Sequence, residues 1–342
     1  MFLASDNTSG ATPEVIAAMI RANEGYARGY GADDLSARVT ARIREVFEAP
    51  EAVVHLVTSG TAANALALAT HIQPWQAVFC HTHAHIADDE CGAPEFFTNG
   101  AKLILIDGPN GKIAPDRLQA ALETTGGSVH NIQRGILSIT NVTEAGTVYT
   151  PTEIAALTAL AHTQNLPCHL DGARFANALA ATGATAAEMT WKAGIDVVSF
   201  GGTKNGCMGV EAVVIFDSAR DWEFQLRRKR AGHLMSKNRF LAAQMDGYLT
   251  DGAWLHHAAH ANAMGAMLAD GLARINSVRQ NHPVQANMMF PEWELGIHQR
   301  LESAGAIYYR FPAPKGREGA RLVTSWSTTP DDVGRFLAAF TD

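Results

Sequence analysis

The sequence predicts an α/β protein, a mainly parallel sheet covered by helices on both faces. Short, continuously apolar, β-prone runs recur at residues 53–57, 77–80, 103–106, 136–139, 168–170, 197–200 and 212–216, with helical patterns between them. Strands without polar alternation are those buried on both sides, and their regular interleaving with helices is the mark of βα units. A further observation is that the residues able to do chemistry cluster just after these runs, where ligands collect in an open parallel sheet.

In chain order, residues 1–12 are polar and rich in Gly, Thr and Ser, an extended arm that something else must tie down. Pro13 opens a helix through about residue 23, since proline suits a first helical turn. Residues 25–34, with Tyr26, Tyr30 and Gly31, form a loop, and Val39, Ile43, Val46 and Phe47 give residues 36–47 a core-facing apolar stripe. Residues 53–57 read as a buried strand, 58–61 as a small-residue turn and 62–71 as an Ala/Leu helix. Ile154, Leu157, Leu160 and Ala161 share one face of the helix entered after Pro151. After about Asp246 the pattern changes to a long Ala/Met-rich helix carrying His256, His257 and His260, which read as helix-surface or interface residues. The expected division is a large domain, 1–246, and a small C-terminal α+β domain, 247–342.

A chain of 342 residues can bury a large core. Its charged fraction of 18% is below the usual quarter, as in oligomers that hide much of their surface. The net charge of -7 and the lack of a Lys/Arg-rich run argue against nucleic acid or an anionic membrane as partner and favour a small molecule. Cys80, Cys91, Cys168 and Cys207 are widely spaced, as expected of reduced thiols in the cytoplasm. The first residues lack a signal-peptide pattern, and no apolar run approaches the roughly 20 residues of a membrane span. The expectation is a soluble, unprocessed protein.

Four motifs fall at strand tips: Ser59-Gly60-Thr61, His85 with Glu90, Asp171-Gly172-Ala173-Arg174 and Gly202-Thr203-Lys204. A small-residue turn between strand and helix leaves free N–H groups where the helix dipole favours an anion, so a phosphate fits Ser59–Thr61. A lysine mounted after a buried strand can be desolvated enough to act as a nucleophile, whereas one in solvent stays protonated. Asp171 and Arg174 could pair with each other and close a loop. Alternatively, with an anion site, a lysine and a stacking histidine, they suit a pyridoxal phosphate pocket, the aspartate keeping the pyridine nitrogen protonated and the arginine taking a substrate carboxylate.

On these motifs, together with Ser5-Asp6-Asn7, Tyr30-Gly31-Ala32-Asp33-Asp34, Ala84-His85-Ile86, Asn205-Gly206 and Arg321-Leu322-Val323-Thr324, the chain resembles the L-threonine aldolase family over essentially its whole length. The resemblance implies the fold-type I architecture of pyridoxal phosphate enzymes, with the 1–12 arm reaching the active site. It implies that Lys204 carries the cofactor, Asp171 pairs with its ring nitrogen, Ser59, Gly60 and Thr61 bind its phosphate, and His85 stacks on its ring. Lys229 falls where the family has a lysine that reaches a neighbouring subunit's phosphate, and Tyr30 lies on a loop near a subunit boundary. Ser5, Arg174 and Arg321 would clamp the substrate carboxylate, with Arg174 also beside the cofactor and Glu90 one turn after His85. Two departures stand out: Glu144, in Asn141-Val142-Thr143-Glu144-Ala145-Gly146, replaces a histidine that holds the substrate hydroxyl in many members, and Ala32 is an extra residue in the Tyr30 loop.

The implied reaction is cleavage of L-threonine or L-allo-threonine to glycine and acetaldehyde, in a cytoplasmic homo-oligomer, a dimer or a tetramer built as a dimer of dimers. His85, directly or through a water, is the first candidate for the base, with Glu144 as the alternative. Competing readings are another β-eliminating lyase, a zinc hydrolase built on His81, His83 and His85 with Asp88, Asp89 and Glu90, and a non-catalytic amino-acid binding protein. The zinc reading explains neither Lys204 nor the arginine-bearing strand tip, and binding alone needs no mounted lysine. No metal is expected in the site.

Overall fold

The computed structural model describes residues 1–314 and 316–340. Position 315 and the last two residues of the expected C-terminal domain lie outside it. The large sheet comprises β1 (Val53–Val57), β2 (Gln76–His81), β3 (Lys102–Ile106), β4 (Gln133–Thr140), β5 (Cys168–Gly172), β6 (Val197–Gly201) and β7 (Glu211–Ile215), in the order β1-β7-β6-β5-β4-β2-β3. Strands β3, β2, β4, β5 and β6 run parallel, while β7 is antiparallel to both β6 and β1. The link from Gly201 to Glu211 is too short for the crossover that a parallel neighbour would need, so β7 must turn back.

The helix after β1 spans Gly60–His71, two residues earlier than the sequence suggests, because Ser59 rather than Thr61 caps it: the Ser59 side chain accepts from Ala62 N–H. The helix Pro13–Ala22 has its proline in the first turn, and the helix Asp34–Val46 is capped by Asp33, which accepts from Ser36 N–H. Under the sheet, Phe47 stacks on Phe175 at 5.7 Å and meets Phe200 edge-on at 5.4 Å, and Phe200 meets Trp254 at the same distance. These aromatic contacts fix the floor beneath the tips of β5 and β6.

The long helix Ala253–Ala273 joins two cores: Trp254 and Ala258 belong to the first, Met264, Leu268 and Leu272 to a second built on Trp293, Leu301 and Phe336. The second core lies against strands Pro291–Glu294, Tyr309–Pro312 and Arg317–Val323, which pair antiparallel. The N-terminal arm is tied down here. Phe2 bridges to Ile307, Leu3 donates to the Ile307 carbonyl at 2.8 Å and accepts from Val323 N–H at 2.9 Å, and its side chain is wholly buried in the second core. Of the clustered histidines, His257 faces Glu14 at 3.3 Å and His260 the Thr328 carbonyl at 2.7 Å, while His256 is exposed. Among the described residues no helix is long and apolar enough to cross a membrane.

Candidate active site

Lys204 lies in a 3-10 turn, Thr203–Asn205, directly beyond β6. The turn is held from several sides: Glu211 accepts from Gly202 N–H at 2.7 Å, Asn205 donates to Tyr248 Oη at 3.1 Å and to the Trp254 carbonyl at 2.8 Å, and Tyr248 donates to the Gly201 carbonyl at 3.0 Å. Gly206 closes it at φ 106°, with Thr12 of the arm so near that an added Cβ would lie 2.2 Å from Thr12 Cγ2. Only glycine serves there. Burial, and then the Arg174 guanidinium, push the Lys204 pKa below its ordinary value, against a smaller opposing pull from Asp6, Glu144 and Asp171. The amine is therefore closer to its nucleophilic form than a solvated lysine. Glu211, which sequence reasoning missed, is itself pushed up to about 7 by burial.

Asp171, at the end of β5, does not pair with Arg174. It accepts from Asn64 Nδ2 at 2.9 Å and from Ala173 N–H at 3.1 Å. The same Asn64 amide donates to Glu90 Oε1 at 2.9 Å, and that oxygen also lies 2.9 Å from His85 Nδ1. One chain of hydrogen bonds thus runs from Asp171 through Asn64 and Glu90 to His85, setting two functional groups relative to each other. The Glu90 hydrogen bond raises the His85 pKa, opposed by burial and supported by Asp171 and Glu144. With Nδ1 occupied by Glu90, Nε2 is the ring atom left to face a ligand. Asn64 had a signal in the sequence: it is the buried amide in the helix Gly60–His71, otherwise almost wholly apolar, and a buried amide needs partners.

At the tip of β1, Ser59 spends its hydroxyl on Ala62 N–H, and Ala63 N–H bonds the Ser59 carbonyl. The N–H groups of Gly60 and Thr61 have no partner within the helix, as first-turn donors do not, and a side chain added at Gly60 would meet nothing within 4 Å. That is an open cradle with two donors at a positive helix end, which fits a phosphate.

The two arginines are placed differently. Arg174 is 3% exposed and forks onto Asp6 of the arm, Nε to Oδ2 at 2.7 Å and Nη2 to Oδ1 at 2.9 Å. Asp6 also accepts from Asn287 Nδ2 at 3.0 Å, so it joins the strand tip, the arm and the C-terminal part of the chain. Asp171 is an electrostatic neighbour of Arg174, but the direct Asp171–Arg174 pair gives way to this fork, with Asp171 engaged by Asn64 and Ala173. The Nη1 edge of Arg174 is the part that Asp6 does not use. Arg321 has no carboxylate partner among the described residues and lies 5.8 Å from the Tyr309 ring; burial, and then Arg174, lower its pKa. Ser5 caps the short turn Asp6–Thr8, accepting from Asn7 N–H at 3.2 Å. Glu144, half-buried, is an electrostatic neighbour of Lys204, Arg174, His85 and Arg321.

Burial alone would raise the Asp6 pKa, but Arg174, with help from Lys204 and Asn287, holds it below the ordinary carboxylate value. The ion pair therefore contributes in full above the ordinary carboxylate range and is lost as the pH falls toward the lowered value. Asp6→Asn leaves a buried guanidinium unpaired and should cost about 3–5 kcal/mol of stability at neutral pH, with a flatter acid limb in the stability–pH curve. Urea unfolding unchanged from the parent would show that the arm is held by Leu3 alone.

Tyr30 and Lys229 stand apart from this cluster. Lys229 Nζ lies 4.9 Å from the Tyr30 ring centroid, both side chains are exposed, and no hydrogen bond or ion pair among the described residues links either to Lys204, Asp171 or the Ser59 turn. The histidines at 81, 83 and 85 do not alternate on a strand: β2 ends at His81, His83 lies in the following turn facing Asp88, and His85 opens the short helix His85–Asp88. Among the described residues they form no three-ligand group.

Fold and site together define an α/β enzyme of the pyridoxal phosphate-dependent kind, with a mounted lysine, a buried aspartate and an open helix N-terminus on three strand tips. A family model described as "Beta-eliminating lyase" matches residues 3–293. The chain is 44% identical to a low specificity L-threonine aldolase of Pseudomonas sp., over 98% of this chain and 95% of that one. It is 43% identical to the low specificity L-threonine aldolase of Pseudomonas aeruginosa, over 96% and 94%. A solved threonine aldolase of Leishmania major superposes with a TM-score of 0.93 at 30% identity, covering 99% of this chain and 98% of that one. The chain belongs to the beta-eliminating lyase family and, within it, to the low-specificity threonine aldolases.

Proposed function

We propose that this protein cleaves L-threonine and L-allo-threonine, with related β-hydroxy-α-amino acids, to glycine and an aldehyde such as acetaldehyde, using pyridoxal phosphate. The observation that carries this is the convergence of a desolvated Lys204 with Asp171 and His85, the latter two tied by Asn64 and Glu90. When bound, the cofactor supplies an electron sink for the pair released from the Cα–Cβ bond. Ser59, Gly60 and Thr61 hold its phosphate, the Lys204 amine anchors it, and the Asp171 carboxylate keeps a proton on the ring nitrogen. Arg321, the free edge of Arg174 and Ser5 receive the substrate carboxylate. His85 Nε2 takes the β-hydroxyl proton, directly or through a water, as the aldehyde C=O forms, with Glu144 as the alternative acceptor. Reprotonation at Cα then leaves glycine.

The description of the matching family model favours one rival, elimination to ammonia and a keto acid. Product analysis with L-threonine separates the two: glycine and acetaldehyde in equal amounts are expected, and ammonia with 2-oxobutanoate would overturn the proposal.

The chain works as a cytoplasmic homo-oligomer, a dimer or a dimer of dimers, in which Lys229 and Tyr30 serve a neighbouring subunit's site. Their exposure and their distance from the cluster of their own chain support this, as does the low charged fraction of 18%. An active monomer in light scattering would exclude such sharing. Residues 1–246 form the cofactor-binding domain, with the 1–12 arm, and 247–342 the small domain; the two cores joined by the helix Ala253–Ala273 support the division.

A further inference from the structure

Three side chains converge at the opposite end of the sheet from Lys204. His162 ends the helix Pro151–His162, Cys168 opens β5, and Asp196 stands one residue before β6. One donor atom from each lies within 4.8 Å of the others, with His162 Nε2 3.8 Å from Cys168 Sγ and 3.7 Å from Asp196 Oδ2. Thiol and carboxylate thus approach the same ring nitrogen. A nucleophilic relay needs the two ring nitrogens to face two different partners, so this cluster cannot work as one. A metal ion requires the reverse, several donors gathered around one point.

The dimensions suit a tetrahedral ion. With Zn–S of about 2.3 Å and Zn–N and Zn–O of about 2.0–2.2 Å, neighbouring ligand atoms stand roughly 3.3–3.6 Å apart. The two distances from His162 Nε2 exceed those of such a shell by a few tenths of an ångström, and the Cys168 thiol and the Asp196 carboxylate, within 4.8 Å of each other, must close in further. Asp196 Oδ2 also accepts from Cys168 N–H at 2.7 Å, a contact of the kind that orients a metal-binding carboxylate from outside the ligand shell. His162 and Asp196 line an open cleft of about 820 Å³, which leaves a fourth position for water. His71 lines the same cleft and has its Nε2 buried without a hydrogen-bond partner; Asp217, Arg134 and Arg220 are the charged groups that share it.

We propose that His162, Cys168 and Asp196 form a site for a thiophilic divalent cation, zinc in class, which clamps the end of one helix to the starts of β5 and β6, remote from the reacting lysine.

The test is a zinc titration of the chelator-treated holoenzyme against a chromophoric competitor, with X-ray absorption at the zinc edge. One equivalent per chain is expected, with one sulfur scatterer at about 2.3 Å and a melting temperature that climbs with free zinc. Cys168 is wholly buried and its substitution carries a folding cost, so His162→Ala, on a half-exposed side chain, is the informative variant. It should keep its fold and weaken zinc binding at least about tenfold. Equal affinity in His162→Ala and the parent, or an edge spectrum with nitrogen and oxygen scatterers only, would overturn the site.

Discussion

Lys204→Ala should abolish the borohydride-reducible link between chain and cofactor and lower threonine cleavage by more than about 10⁴-fold. Loss of a general base alone typically costs about 10²–10⁴-fold, and this change removes the covalent anchor as well. The variant should fold, because the neighbouring carboxylates keep other donors: Asp171 retains Asn64 and Ala173 N–H, and Glu211 retains Gly202 N–H. The cofactor should still bind, more weakly, through the Ser59 turn. Peptide mapping after reduction of the parent enzyme checks the assignment, and a pyridoxyl group on an exposed lysine such as Lys192 or Lys229 would remove it. Those two lysines are exposed and lie away from the tips of β5 and β6.

His85→Asn should lower cleavage by about 10²–10⁴-fold while leaving the lysine-bound cofactor spectrum in place. Exchange of the glycine α-proton needs the electron sink but no β-hydroxyl, so it should fall less than cleavage. Equal losses in the two assays would make His85 a positioning residue and move the base to Glu144 or to a water. The hydrogen bond to Glu90 adds a pH test. His85 must be unprotonated to accept the hydroxyl proton, and Glu90 raises its pKa. In Glu90→Gln that support is gone, so the acid limb of the cleavage profile should move to lower pH. An unmoved limb would separate Glu90 from the proton transfer.

The difference between Glu90 and Asn64 shows how far local sequence reaches. Glu90 follows His85 by five residues, but not on one helix as the sequence suggests: the helix His85–Asp88 ends before it, and the bend that follows brings its carboxylate to the imidazole. Asn64 meets Asp171 across 107 residues and Glu90 across 26, and no periodicity records such a meeting. Arg174 was legible as a cation at a strand tip, yet its partner is Asp6, 168 residues away. The nearer carboxylate, Asp171, is turned to other donors by the loop that follows β5.

Alternating apolar runs and helical stripes determined the α/β class, because burial on both faces imposes continuous apolar strands whatever lies beside them. Small residues after β1 and β6 determined where a helix would open on free N–H groups and where a lysine would be mounted, since backbone freedom and first-turn donors are local properties. Strand pairing and the company of each buried charge were decided only in three dimensions. The reversal of β7, the docking of Leu3 in the C-terminal core, the Asp6–Arg174 fork and the gathering of His162, Cys168 and Asp196 all join distant segments. Burying a charge or an amide costs several kcal/mol unless a partner arrives, and which partner arrives depends on how the strands stack, not on the residues that flank the group.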